Sequence, residues 1–360
     1  MLFDGLFSPA AIGANWTENV SNRIPYLGEG LFPSRKQAGL DLKWYKGSKG
    51  IPVSLMPSAF DAQATYRDRI GVEKVETEMP FFREGFKIKE RDRQDILRAQ
   101  SSNDPYVNAA IARVFDDARE LIEGALVVGE RMRMQLLFAK NGNVGITITA
   151  NGVDYTYDYD PEVGGVRQWK STNYFELTGQ DKWSDATHSD PFGDIQDAKD
   201  AVSAKTGTDL RVAIMNKATF KLLRNNTNIK NRFLTKSGAA FGYLTDNEII
   251  QILKDTNDLD GIILYDKQFR NENKVAMKFV PDGYVALVPA GTLGETCYGT
   301  TPEEADLMGK GDLASVQLVE GGIAITQMTI PHPVNLNTLA SEIVLPSYER
   351  MDEVALLKVD

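Results

Sequence analysis

The chain has 360 residues, 42% of them hydrophobic and 25% charged, so it is not disordered as a whole and has the length for two or three domains. Its 50 acidic against 40 basic side chains leave a net charge of −10, which excludes broad charge-driven binding to nucleic acid or anionic membrane but allows an acidic wall facing DNA without gripping it. One cysteine, Cys297, excludes an intramolecular disulfide, and two histidines, His188 and His332, are too few to build a zinc site with it.

Met1-Leu2-Phe3-Asp4 has no basic lead or long apolar stretch behind it, so neither a signal peptide nor a membrane span is expected, and the protein is read as made inside a cell. Residues 1–48 are rich in Gly, Pro and Asn and show no sustained period, which predicts an extended arm. Its many apolar side chains, Phe3, Phe7, Trp16 and Trp44 among them, need another surface to lie on, another subunit's included. Residues 49–100 alternate weakly and are heavily charged; Val72, Val75, Phe86 and Ile88 mark short strands of a two-stranded excursion that cannot form its own core.

A single long helix is expected next. Asp104 caps it, Pro105 occupies the first position, and Asn141-Gly142 closes it with residues that tolerate a left-handed backbone. From Val107 through Ile111, Val114, Ala118, Leu121, Ala125 and Val128 to Met132 the apolar residues alternate in steps of four and three. At about 1.5 Å per residue the stretch from Pro105 to Ala139 spans roughly 50 Å. A coiled-coil dimer fits that stripe. So does packing on a sheet of the same chain, which Ile122 and Leu126 favour by widening the stripe and Gly124 and Gly129 by allowing a close crossing. Arg113, Asp117, Glu120, Glu123, Glu130 and Arg133 are expected to keep the other faces wet.

Asn151-Gly152 between Ile146–Ala150 and Val153–Tyr157 signals a hairpin with a type I′ turn. From about residue 190 to 311 helices and strands alternate. A helix over 195–206 is stopped by Gly207, a buried strand covers 210–215, and Asn216 caps a helix over 217–224. A helix follows at 246–254 and a strand at 261–265, and residues 275–280 are expected to pair with 284–288 across Pro281-Asp282-Gly283. This is a compact α/β domain. Strands at 323–330, 341–345 and 354–359 come last and could pair with the 146–157 hairpin, making the α/β domain an insertion.

Catalytic templates fail along the whole chain. Gly309-Lys310 is followed by Gly311, with Glu304 where a phosphate loop needs its first glycine. Asp255, Asn257, Asp258 and Asp260 resemble a calcium loop only loosely and read as turn chemistry; Asp154, Asp158 and Asp160 read as a solvated strand face. His188 sits in a polar loop, His332 between two prolines, and Cys297 beside Tyr298 reads as a packed thiol. No cofactor and no metal are expected. The mixed-charge run Arg83, Glu84, Lys87, Lys89, Glu90 and Arg91 is either a solvated loop or an inter-subunit contact, where alternating charge sets register.

Three stretches resemble the lambda-type phage major capsid protein E family, whose fold is HK97-like. They are Met79-Pro80-Phe81-Phe82-Arg83 with Phe86-Lys87-Ile88-Lys89-Glu90, the helix end Glu130-Arg131-Met132-Arg133-Met134-Gln135-Leu136-Leu137 through Gly142, and Ala340-Ser341-Glu342-Ile343-Val344-Leu345-Pro346. The order of parts fits as well. The resemblance implies an α+β chain with an N-terminal arm (1–48), an extended β-hairpin loop (49–100), a spine helix with the first part of a peripheral domain (101–189), an axial α/β domain (190–320) and the last part of the peripheral domain (321–360). It implies the head shell of a tailed double-stranded DNA phage, icosahedral and self-assembled from hexamers and pentamers, with the protein in the virion after assembly in the host cytoplasm. Its partners would be other copies, a portal, a decoration protein, DNA packaged without sequence-specific contact, and no membrane. The start at Met1 without a helical leader implies a separate scaffolding protein. Covalent cross-linking is not carried over, because no lysine, asparagine and acid trio is identifiable. Another virion component, or a hydrolase or transferase using residues 190–311, stays open at this point.

Overall fold

The computed structural model describes residues 8–20, 25–46, 73–88, 90, 94, 105–150, 152–237, 244–308, 314–331 and 334–360. In chain order the first elements are α1 (Pro9–Val20), α2 (Leu27–Leu31), β1 (Ser34–Lys36), β2 (Asp41–Lys46), β3 (Glu73–Glu78), β4 (Phe81–Ile88) and the long helix α3 (Pro105–Leu137). Then come β5 (Gly145–Ala150), β6 (Val153–Asp158), α4 (Gln168–Asn173), β7 (Tyr174–Glu176), α5 (Pro191–Thr206), β8 (Leu210–Met215), α6 (Lys217–Asn225), α7 (Thr227–Ser237) and α8 (Asp246–Asn257). The chain finishes with β9 (Gly261–Leu264), β10 (Gln268–Arg270), β11 (Ala276–Lys278), β12 (Tyr284–Pro289), β13 (Thr296–Tyr298), α9 (Pro302–Asp306), β14 (Ser315–Val319), β15 (Ile323–Pro331), β16 (Val334–Pro346) and β17 (Ala355–Lys358).

These elements form two compact units. One comprises Met1–Lys43, Glu76–Met132 and Glu295–Ser347, the other Trp44–Val75, Arg133–Gly294 and Tyr348–Asp360.

In the first unit β16 is the organising strand. It pairs antiparallel with β15 from Val334↔Pro331 to Ser341↔Ala324, with β4 from Leu336↔Ile88 to Ile343↔Phe81, and with β13 from Val344↔Tyr298 to Pro346↔Thr296. β14 extends the sheet beyond β15, and β1 adds in parallel to β13. Helix α1 starts at Ser8, whose Oγ accepts the Ala11 N–H at 3.2 Å, with Pro9 at the first helical position. The Trp16 indole N–H donates to Glu320 Oε1 at 2.7 Å, tying this helix to the loop after β14. Residues 1–48 are therefore not simply extended. The Ser-Pro start makes a helix there, and its buried Ile12 and Trp16 find their cover within the chain.

Helix α3 buries Ala118, Leu121, Ile122, Leu126 and Met132, as the stripe predicts. It ends at Leu137, two residues before the expected Ala139, and a 3-10 turn over Lys140–Gly142 follows, in which Asn141 (φ 53°) and Gly142 (φ 73°) both take left-handed backbone. Gly142 is needed there on two counts, since a Cβ would also lie 2.7 Å from the Tyr174 ring. The expected wet face holds at Glu120 and Glu123 but fails at Glu130 and Arg133, which are buried. A carboxylate can be buried where donors meet it: Glu130 Oε1 accepts the Gly28 N–H at 3.1 Å.

In the second unit the sheet order is β7-β17-β12-β8-β9. β8 and β9 run parallel, β12 is antiparallel to β8 and β17, and every residue of β12 is buried. The core joins Ala213, Met215, Val285, Leu287 and Leu357 to Ile195, Val202, Phe220, Ile249 and Leu253 from the helices. Local chemistry fixes those helices. Gly207 closes α5 at φ 73°, Asn216 Oδ1 accepts the Thr219 N–H to start α6, and Thr245 with Glu248 forms a capping box on α8.

Two expected pairings are corrected here. Residues 276–278 pair with β10, not with 284–288, because a strand buried on all sides needs two interior neighbours and finds them in β8 and β17. The late strands do not join the 146–157 hairpin. β15 and β16 take β4 and β14, β17 enters between β12 and β7, and β5 and β6 form their own two-stranded sheet around Gly152 at φ 78°. Asn151 lies outside the described residues, as do residues 51–72 of the charged excursion. The described strands flanking that segment pair elsewhere, β3 with β2 and β4 with β16.

Candidate inter-subunit surface

β4 carries three of the six residues singled out by the charge pattern. Alternation along the strand puts Arg83, Gly85 and Lys87 on one face of the sheet and Phe82, Glu84 and Phe86 on the other, opposite Ser341, Leu339 and Asn337 and opposite Glu342, Ala340 and Thr338 of β16. Residues 83–87 are all exposed, Phe86 included, and among the described residues no strand pairs with β4 on its other side. Gly85 is required by the close approach of the two strands: a Cβ there would sit 2.3 Å from Leu339 Cδ2 and 2.8 Å from the Thr338 carbonyl oxygen.

Arg83 is anchored within its own chain. Its guanidinium meets Glu303 Oε1 at 2.5 Å and stacks over the Phe81 ring at 4.7 Å. Glu303 is buried in α9, and its other oxygen accepts the Ser341 hydroxyl at 2.9 Å, so one carboxylate grips both members of the Arg83↔Ser341 cross-strand pair. The adjacent Glu304 reaches Lys36 of β1 at 2.6 Å, and Arg35 meets Glu295 at 2.6 Å. Thr301 and Pro302 set up this short helix, with the Thr301 hydroxyl accepting the Glu304 N–H at 3.3 Å.

The remaining candidates separate. Glu84 and Lys87 are exposed on opposite faces of β4, Glu90 is exposed, and Lys89 and Arg91 lie outside the described residues. Charge patterning missed Glu303 and Glu304, because only the register of β16 brings Arg83 beside α9; a Thr-Pro-Glu-Glu helix start was the available signal.

Groups suited to catalysis are scattered. His188 Nδ1 lies 2.9 Å from Asp185 in an exposed loop, Cys297 is buried within β13, and His332 and Gly309-Lys310-Gly311 fall outside the described residues. Asp258 is the left-handed cap of α8, with Arg211 2.9 Å away, so the calcium-like stretch serves as a helix stop. No group of three metal-ligating side chains occurs among the described residues. A groove of about 420 Å³ between α1 and β14 is lined by Ala10, Gly13, Ala14 and Leu318 with Trp16, Thr17 and Glu320; the Thr17 hydroxyl donates to the Gly13 carbonyl at 2.9 Å and the Glu320 carboxylate accepts the Trp16 indole N–H.

A family model described as phage major capsid protein E matches residues 10–359. The chain belongs to the phage major capsid protein E family. Solved structures agree in fold. A phage-related protein of Bordetella bronchiseptica RB50 superposes with a TM-score of 0.55 at 14% identity, over 96% of each chain. The assigned capsid protein of a prophage in E. coli CFT073 gives 0.53 at 15% over 80% of each chain, and the capsid of cyanophage A-1(L) gives 0.50 at 12% over 92% and 91%. At such identities these likenesses speak for the fold alone, which is HK97-like. A search of curated proteins by sequence finds no match.

As a major capsid protein of the E family, the chain is a structural subunit of an oligomeric phage capsid shell, resident in the virion, and not an enzyme. The alternatives of an enzyme or another virion component are not favoured.

Proposed function

We propose that this major capsid protein builds an icosahedral head through hexamers and pentamers, and that the exposed edge of β4 is one of its inter-subunit surfaces. The observation that carries this reading is the state of β4: a strand with charged and aromatic side chains in solvent, held on β16 by Arg83 and Glu303, and lacking a described partner on its outer side. Free strand edges are normally covered or blocked, and assembly supplies a cover. Glu84, Lys87 and Glu90 would set register against a neighbour, with Lys89 and Arg91 continuing the pattern and Arg83 holding the strand in position.

In the same reading residues 1–48 act as an arm, 49–100 as the extended loop, 101–189 and 321–360 as the spine and peripheral domain, and 190–320 as the axial domain. A scaffolding protein, a portal and a decoration protein are the expected partners during and after assembly in the host cytoplasm. The genome of a tailed phage would be enclosed without sequence-specific contact, since a chain of net charge −10 offers phosphate little to hold.

Expression of the chain with and without candidate scaffold, followed by sedimentation and negative-stain microscopy, tests the proposal. Closed shells or capsomers are expected; a stable monomer under every assembly condition overturns it.

A further inference from the structure

We propose that the β10–β11 ribbon docks on a second copy of the chain, at the end of the sheet where β8 and β9 begin; the inference rests on the shell reading above. The ribbon pairs from Gln268↔Lys278 to Arg270↔Ala276, so Phe269 and Met277 share a face. At its root that face is packed, with Phe269 stacked on Phe279 at 4.8 Å and Phe279 on Tyr265 at 6.1 Å. Towards the tip it is bare: Met277 is 45% and Val275 56% exposed. The tip is nonetheless built. The Lys274 N–H donates to the Asn271 carbonyl at 2.8 Å, and Asn271 Oδ1 accepts the N–H groups of Asn273 and Val275 at 3.1 and 2.9 Å. A fixed tip with open apolar side chains is preorganised for contact.

Charge selects the partner. Between Lys267 and Lys278 the ribbon carries four cations, Lys267, Arg270, Lys274 and Lys278, against the single carboxylate Glu272, in a chain of net charge −10. Lys278 is taken by Asp282 at 2.7 Å, while Arg270 and Lys274 have no ion pair among the described residues. The complementary surface is on the same unit. β8 and β9 are parallel, and at their shared start Asp209, Asp258 and Asp260 lie 2.6, 2.9 and 4.0 Å from one guanidinium, Arg211. Lys199 reaches Asp209 at 3.4 Å from a buried position, which leaves the side chains of Asp258 and Asp260, 78% and 67% exposed, undercompensated.

The ribbon follows the finish of β9 and the carboxylates its start. Cation-rich and carboxylate-rich surfaces at opposite ends of the same strands cannot meet within one unit, but they meet between copies set head to tail. Such a contact is heterologous and closes into a ring when the rotation between copies allows. Opposite charge gives it register and encounter rate, and burial of Met277 and Val275 gives it adhesion. Phosphate would satisfy the cations but offers nothing to the two apolar side chains, so a second copy fits the ribbon better than packaged DNA.

The test uses the full chain. Arg270→Glu with Lys274→Glu is expected to lower particle yield by about tenfold in sedimentation and microscopy while circular dichroism stays unchanged, and adding Asp258→Lys with Asp260→Lys is expected to restore it. Independently, Arg270→Cys with Asp258→Cys is expected to give an inter-chain disulfide ladder on oxidation, which the buried Cys297 alone does not. Equal particle yield in the charge-reversed chain together with no ladder overturns the ribbon and leaves the shell reading standing. Intact particles with reduced nucleic-acid content overturn it by assigning the ribbon to DNA. If the wild-type chain forms no particles yet the Arg270→Cys/Asp258→Cys chain gives the ladder, the ribbon stands and the shell reading falls; if that chain gives no ladder either, both fall.

Discussion

Arg83 on β4 and Glu303 on α9 meet at 2.5 Å, and the same carboxylate accepts the hydroxyl of Ser341, the residue directly across from Arg83 on β16. Glu303 is buried and Arg83 is half exposed, so the two substitutions are not equivalent. Arg83→Ala strands the carboxylate and is expected to cost about 1–2 kcal/mol, less than a fully buried pair because of solvent at the guanidinium. Glu303→Gln in that background should recover part of the loss, since an amide is cheaper to bury unpaired than a charge. A double-mutant cycle from denaturant midpoints measures this; additive losses would remove the coupling.

Gly85 is set against Leu339 with no room for a side chain. Gly85→Val must displace either β4 or the Leu339 side chain, and a destabilisation of about 1–3 kcal/mol is expected. Adding Leu339→Ala should relieve only part of it, because the Thr338 carbonyl oxygen, a backbone atom, stands 2.8 Å from the new Cβ. Limited proteolysis around residues 81–88 reads the outcome directly: faster cleavage in Gly85→Val than in wild type.

Asp194, in the first turn of α5, gives the second unit a defined pH response. Burial pushes its carboxyl up from 3.8 to about 6; the Trp183 indole N–H, donating at 2.8 Å, opposes the rise, and Asp190, Asp181 and Asp197 add to it. The native state therefore holds this proton more tightly than the unfolded chain does. The associated stability is fully present below about pH 4 and is lost as pH rises through about 6. Asp194→Asn keeps an oxygen for Trp183 and carries no charge. It should melt with wild type near pH 4 and above it at pH 7, as seen by scanning calorimetry; a constant difference across that range would assign the shift elsewhere.

Asn216 works in two directions. Its oxygen accepts from the Thr219 N–H and hydroxyl at 2.8 and 2.9 Å, and its amide donates to the Val280 carbonyl at 3.0 Å and to Asp282 Oδ1 at 2.5 Å. Asn216→Asp preserves the cap but sets a carboxylate against Asp282, whereas Asn216→Ala loses both functions. Losses of about 1–3 kcal/mol are expected for either, and raising the pH from about 3 to 7 should weaken only the aspartate variant relative to wild type. Urea titrations at the two pH values separate them.

Where chemistry is local, the sequence was readable. Gly207 and Asn216 stop and start helices in the structure where residue type says they should, and the long stripe of α3 buries Leu121, Leu126 and Met132. Pairing was not readable, because it is decided by partners far along the chain. β12 looked like half of a hairpin with residues 275–280 and is instead the middle of a sheet. Glu130 and Arg133 looked wet because charge pattern alone does not reveal Gly28 arriving with an N–H for Glu130. At the candidate surface the charged run was visible as a run, but the anchoring of Arg83 depends on Glu303 and so on the β16 register.

Both sheets are completed by strands from near the chain's end: β16, at 334–346, holds β4, β13 and β15 together, and β17, at 355–358, separates β12 from β7. During synthesis the earlier strands emerge without their neighbours and must wait, which raises the contact order of both units. A chain cut short before β16 accordingly lacks the strand that holds β4, and one cut short before β17 leaves β12 without one of its two neighbours. Under the shell reading proposed above, competence to join other copies would arrive only after β16 has been made, and chains cut short before it would be kept out of a growing shell.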